Sequence, residues 1–133
     1  MSGKKILIID DDEHLLVGLS AKLKANGYNV VSAMDGVAAV AMTRGESPDL
    51  ILLDLGLPAG DGFVFLERLR ALAPHVATPV IVLSARDPSG NKQRALQAGA
   101  VALLQKPPDN RELLSEIGRA LGERAAISQF LKT

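Results

Sequence analysis

Residues 50–62 read Leu-Ile-Leu-Leu-Asp-Leu-Gly-Leu-Pro-Ala-Gly-Asp-Gly: four apolar residues in unbroken succession, an acid, then a turn punctuated by Pro and Gly. A short apolar run without alternation marks a strand covered on both faces, because a strand with one wet face would alternate. The same grammar recurs at Ile6 to Ile9 before Asp10, Asp11 and Asp12, at Val80 to Leu83 before Ser84, and at Val101 to Leu104 shortly before Lys106; Val30-Val31 is a weaker fifth run. The intervening stretches carry helical spacing. Leu15, Leu19 and Leu23 form a stripe closed by Gly27, and Val37, Val40 and Ala41 open a second helix that ends near Gly45. Asp61 caps a third, with Phe65, Leu69 and Leu72 on one face and Pro74 as its stop. Ser89 to Ala98 forms a weaker fourth before Gly99. Asp109, with Glu112 three positions on, opens the last helix on Leu114, Ile117 and Leu121. Five strand-then-helix units predict an α/β fold: parallel strands joined by right-handed crossovers, with helices on both faces of the sheet.

Composition bounds the chemistry. At 133 residues the chain is expected to hold one domain, and 47% hydrophobic residues suffice to fill its core. Fifteen basic residues balance fifteen acidic ones, so no net field draws the protein to nucleic acid or to an anionic membrane. One Tyr, three Phe and no Trp leave no stacking platform for single-stranded bases. Without Cys there is no disulfide or thiolate site, and His14 and His75, both expected at the surface without a role, cannot build a multi-histidine centre. Any bound metal must be held by oxygen. The first nine residues are too short for a signal peptide and no run approaches a membrane span, which predicts a cytoplasmic protein.

The ends of the strands are more informative than the strands. The first ends at Asp10, Asp11 and Asp12, the third at Asp54, the fourth at Ser84 and the fifth at Lys106. In a parallel sheet these carboxyl ends share one edge, where open α/β sheets bind ligands. Taken singly each residue has an ordinary reading: Asp is a turn former, Asp11 or Asp12 can cap the first helix, and a strand-ending Lys is usually solvated. Taken together they are not ordinary, because carboxylates crowded at one edge take up protons unless a cation neutralises them. Mg²⁺ suits that edge, since it prefers a few carboxylates plus water and phosphate oxygens.

On these residues the chain resembles the receiver domain of two-component response regulators, over about residues 4 to 122. The resemblance lies in the acidic pair after the first strand, in Asp54 followed by Leu55, Gly56, Leu57, Pro58 and then Asp61-Gly62, in Ser84-Ala85, and in Lys106-Pro107. It implies a doubly wound, flavodoxin-like receiver fold with a five-stranded sheet of order 2-1-3-4-5 and five helices. Residues 1–122 would form the receiver domain, and 123–133 a helix extension or a linker stub. It implies that Asp54 accepts a phosphoryl group from a phosphohistidine of a sensor histidine kinase or a histidine phosphotransfer protein. It further implies that Asp10, Asp11, Asp54 and the Gly56 backbone carbonyl hold Mg²⁺, that Lys106 aligns the phosphoryl group, and that Ser84 follows it as sensor. Pro107 would fix the preceding lysine through a cis bond. Arg86 and Gly56 occupy positions that tune phosphoryl lifetime in the family. The signal would pass to an output domain or target protein of unknown kind. Enzymatic activity would be confined to self-phosphorylation and self-dephosphorylation.

Two positions depart from the family. Leu103 stands where a Tyr or Phe usually swings inward, and Pro108 where Phe is common. A muted or differently routed conformational change is the expectation. Three competing readings remain on the sequence. Asp10 and Asp12 also match the Asp-x-Asp of haloacid-dehalogenase-type phosphatases, with Asp10 as nucleophile, although His14 replaces their usual Thr or Val and a substrate cap would have little room. A flavin site is disfavoured by three acids where neutral phosphate-cradling residues belong. A scaffold independent of phosphorylation would leave five chemical positions without a purpose. A homodimer through an apolar edge at Val101, Leu103 and Leu104 is a further option, and Gly118 and Gly122, four apart in the last helix, would permit close helix contact.

Overall fold

The computed structural model describes residues 3–57, 61–85 and 90–123. Strands β1 (Lys5–Ile9), β2 (Asn29–Ala33), β3 (Leu50–Asp54), β4 (Val80–Ser84) and β5 (Ala102–Gln105) alternate with helices α1 (Glu13–Ala25), α2 (Gly36–Glu46), α3 (Asp61–Arg70), α4 (Lys92–Gln97) and α5 (Asn110–Ala120). Every strand pairing is parallel and the order is β2-β1-β3-β4-β5, as the resemblance implies. The chain leaves β1 toward β2 and then returns to β3 on the other side, so the order reverses between β1 and β3. That is where the crevice of such a sheet opens.

The continuous apolar runs have the predicted cause. Every residue of β3 and β4 is buried, and alternate residues serve opposite faces. Leu7, Ile9, Ile51, Leu53, Val82 and Leu103 pack with α2, α3 and α4, while Ile6, Ile8, Leu50, Leu52, Leu83 and Leu104 pack with α1 and α5. The edge strand β2 alone is mostly wet, which matches its polar Asn29 and Ser32.

Several expectations are corrected. Leu103 and Leu104 are buried on opposite faces and only Val101 is exposed, so they form no apolar dimer edge; a final strand with helices on both sides is core. The buried face of α2 is Ala39 and Thr43, and Val37 is 77% exposed. Two small side chains four apart let this helix sit close, with the Thr43 hydroxyl donating to the Ala39 carbonyl at 2.8 Å. In α1 the stripe is Leu16, Leu19 and Leu23, and in α5 it is Leu113, Ile117 and Gly118, one residue off the predicted start in each. Helix α5 ends at Ala120, and Gly122 lies beyond it at φ 75°, so it shares no helical face with Gly118. His75 is buried, contrary to expectation, because the 3-10 turn His75–Ala77 folds its first residue inward after α3. Arg86, Ser89 and residues 124–133 lie outside the described residues. Among the described residues no helix is long and apolar enough to cross a membrane.

Candidate functional site

The carboxyl edge brings the predicted residues together. Asp10 directly follows β1, its N–H donating to the Ala33 carbonyl at 3.0 Å, which holds it in line with the sheet. Its Oδ1 accepts from the Asp12 N–H at 2.9 Å, and Asp12 in turn caps α1 by accepting from the His14 and Leu15 N–H groups. Asp12 is thus occupied as a helix cap, which removes the second acid that a dehalogenase-type phosphatase would need beside Asp10. Asp54 is the last residue of β3 and its Oδ1 accepts from the Gly56 N–H at 2.8 Å. A Cβ at residue 56 would stand 3.2 Å from that oxygen, so the turn approaches this closely because Gly56 has no side chain.

Lys106 closes the pocket from β5. Its N–H donates to the Ser84 carbonyl at 2.7 Å, and its peptide bond to Pro107 is cis, as the sequence reading anticipates. Its Nζ lies 2.7 Å from Asp10 Oδ2 and 3.2 Å from Asp54 Oδ1. Ser84 ends β4, buried and registered beside Gln105. Asp10 and Asp54 are almost fully buried, whereas Asp11 is exposed. One oxygen from each of the three acids falls within 4.8 Å of the others, the donor set of a hard divalent cation.

The electrostatics follow from that crowding. Burial pushes the Asp54 carboxyl above its ordinary range; the Gly56 N–H pulls it back, the Asp10 charge raises it again, and Lys106 lowers it without reversing the shift. For Lys106 burial acts downward, but the hydrogen bond to Asp10 and the two carboxylate charges outweigh it and hold the ammonium above its usual value. Among the described residues three acids, two of them buried, face one base, and a divalent ion would relieve the excess of negative charge.

Beside Ser84 opens a cleft of about 390 Å³ lined among others by Gly56, Phe63, Asn91 and Arg94. Arg94 stacks on Phe63, its Cζ 3.8 Å from the ring centroid. Sequence reasoning did not single out this pair. Phe63 and Arg94 lie 31 positions apart in unremarkable helical contexts, and only the topology places α3 beside α4.

A parallel sheet with three carboxylates, a hydroxyl and an ammonium gathered at its carboxyl edge defines a doubly wound α/β domain with a charged site at its switch point. Its residues 6–118 match the model of the response regulator receiver domain, and the chain belongs to that family, the receiver domains of two-component systems. Over 125 residues it is 37% identical to the transcriptional regulatory protein KdpE of Mycobacterium tuberculosis, covering 94% of this chain and 54% of that one. It is 36% identical over 132 residues to the alkaline phosphatase synthesis transcriptional regulatory protein PhoP of Bacillus subtilis, covering 98% of this chain and 54% of that one. Among solved structures, chemotaxis protein CheY4 of Vibrio cholerae superposes with a TM-score of 0.83 at 30% identity, covering 89% of this chain and 98% of that one. The chain therefore spans about half the length of the curated relatives it matches.

Proposed function

We propose that Asp54 is the phosphoryl acceptor of this receiver domain. A carboxylate oxygen of Asp54 attacks the phosphorus of a phosphohistidine on a sensor kinase or a phosphotransfer protein. The P–O bond forms, the P–N bond breaks with its electron pair returning to the imidazole, and an acyl phosphate remains on Asp54. Phosphoryl transfer of this kind asks the protein mainly for alignment and charge neutralisation. The observation that carries the reading is the convergence of Lys106 Nζ on Asp54 and Asp10 within 3.2 Å, at the sheet edge that also presents Ser84.

Each residue then has a task. Lys106 orients the acceptor and meets the negative charge that develops on the phosphoryl oxygens. Ser84 offers a neutral donor that can follow the new acceptor without adding charge. Asp10, Asp11, Asp54 and the Gly56 carbonyl would hold Mg²⁺, which supplies positive charge to a site with an excess of acids. Gly56 also leaves the face of Asp54 uncovered. Any turnover is limited to self-phosphorylation from small donors and self-dephosphorylation. We place the chain in the cytoplasm, where Mg²⁺ and phosphodonors are available. Residues 1–122 form the receiver unit on this reading, supported by the family match to residue 118 and by the end of α5 at Ala120. The names of KdpE and PhoP support an output step in transcription control, carried by a part outside this domain.

The test is direct. The chain is incubated with Mg²⁺ and a small acyl phosphate or phosphoramidate donor, and the intact protein is weighed beside Asp54→Ala. Gain of one phosphoryl group by the parent alone is expected; equal gain by the variant refutes the assignment.

A further inference from the structure

The cleft beside Ser84 holds a cation that the chemistry above leaves unused. Among the described residues lining it, Arg94 alone carries a charge, and its Cζ sits over the Phe63 ring, 3.8 Å from the centroid, across the gap between α3 and α4. Arg94 is exposed and Phe63 half-buried, so the stack is a surface perch. Helix α4 is loosely tied: it has six residues, Ala95 is its one buried side chain, and Asn91 makes no capping bond through its side chain. On β5 the residue facing the same side is Leu103, buried and without a polar atom that could sense a phosphoryl group.

We infer that Arg94 is a phosphoryl-binding residue, parked on Phe63 while Asp54 is a free carboxylate and transferred to the phosphoryl oxygens once Asp54 carries them. The inference rests on Asp54 being the acceptor. In the unmodified domain Lys106 already faces Asp54, so the guanidinium gains little by leaving the ring. The acyl phosphate carries about −1.5 to −2 charges where the carboxylate carried −1, and it places that charge on three strong acceptor oxygens. Lys106 remains shared with Asp10, Ser84 has a single hydroxyl and a bound Mg²⁺ would engage one oxygen, so lone pairs on the other oxygens are left over. A guanidinium answers two such oxygens at once through its planar fork, a stronger interaction than stacking at an exposed ring. Because Arg94 sits mid-helix in a short, weakly anchored α4, its transfer draws that helix toward the cleft.

The test uses the full chain in saturating Mg²⁺, titrated with beryllium fluoride as the phosphoryl mimic and followed by amide and arginine Nε–Hε NMR signals. The Arg94 Nε–Hε signal, assigned by its loss in Arg94→Lys, is expected to move as the mimic binds. Arg94→Ala is expected to weaken apparent mimic affinity five- to tenfold with Mg²⁺ affinity unchanged, and Arg94→Lys to recover part of it. Phe63→Leu removes the perch but keeps the cation, so it should bind the mimic at least as tightly as the parent. If Arg94→Ala binds like the parent, or Phe63→Leu loses as much as Arg94→Ala, the pair is only a clasp between helices and the inference falls. A parent that binds no mimic at all overturns the acceptor assignment as well, which the mass measurement on Asp54 reports independently.

Discussion

Replacing Asp54 by Asn should stabilise the metal-free chain, and Mg²⁺ should reverse the order. Asp10 and Asp54 are 1% and 4% exposed, and their ligand oxygens lie within 4.8 Å of each other. At an effective dielectric of about 20, two unit charges at that distance repel by about 3.5 kcal/mol. Lys106 at 3.2 Å from Asp54 returns about 5 kcal/mol on the same scale. Removing a carboxylate from water costs several kcal/mol more, roughly enough to turn the balance against ionised Asp54. The direction agrees: burial first, then the Asp10 charge, outweigh the Gly56 N–H and Lys106, and the Asp54 pKa is raised. An acid with a raised folded pKa holds its proton more tightly in the folded state than in the unfolded state. Its contribution to stability is therefore full below the ordinary carboxylate range and lost as pH rises through that range to the folded value. Above that window the penalty is complete. Asn keeps an acceptor for the Gly56 N–H and drops the charge, so a gain of about 1–2 kcal/mol is expected, or about 3–8 °C in Tm. Urea and thermal unfolding by circular dichroism, with chelator and then with Mg²⁺, measure both arms. A metal concentration a hundredfold above Kd adds about 2.7 kcal/mol to the parent and less to the variant, which has lost a ligand. An Asp54→Asn protein less stable than the parent in chelator at pH 7 would show that Lys106 alone satisfies the cluster, and the electrostatic case for a cation would fail.

Three further substitutions probe the frame around the site. Lys106→Met should destabilise the metal-free chain by about 2–4 kcal/mol, because two buried carboxylates lose their counter-charge, and it should slow phosphorylation of Asp54; denaturant melts and intact mass check each part. Gly99→Ala should cost about 1–3 kcal/mol, since residue 99 sits at φ 107° and a Cβ would come 2.7 Å from Arg70 Nε, while Arg70 Nη2 donates to the Gly99 carbonyl at 3.1 Å; chemical denaturation reads it. Tyr28, the single tyrosine, donates to Glu123 Oε1 at 2.9 Å, and burial followed by Glu123 pushes its phenol up to about 12. Tyrosinate absorbance should therefore show a midpoint about two units above free tyrosine, with stability falling as pH climbs from 10 toward 12, and Tyr28→Phe should flatten that fall.

How much of this was legible in sequence depends on the length scale of each cause. The strands could be read because burial on both faces forces unbroken apolar runs, and β3 and β4 are buried at every position. Caps are local too, so Asp109 accepting from the Glu112 N–H is visible as a spacing of three. Which helical face turns inward is not local. Val37 looked like core and is exposed because α2 presents Ala39 and Thr43, a choice made by how closely the helix approaches its neighbours. The acids and Lys106 were recoverable because each ends a strand and a parallel sheet aligns such ends. The order of the sheet came from the resemblance, and the Arg94–Phe63 stack was visible only in three dimensions.

The two halves of the site are mechanically unequal, and that sets how a signal can leave it. Asp10 directly follows β1 and Asp54 ends β3, strands with a partner on each side and cores above and below, so they are held fixed. Ser84 ends β4 and Lys106 directly follows β5, and the two are joined by the Lys106 N–H to the Ser84 carbonyl, so a pull on either is shared by both. With β5 at the edge of the sheet, that joined end is the part able to yield. An aromatic residue at 103 would carry such a movement outward, but Leu103 stays in the core with no group that reaches the pocket. What remains next to the yielding end is the cleft, with Arg94 on a six-residue helix at its rim. The conformational change should therefore be small along β5 and concentrated at α4, and amide shifts on adding the phosphoryl mimic should map that asymmetry. Large shifts running through β5 into α5 with α4 unmoved would mean that Leu103 transmits the signal after all.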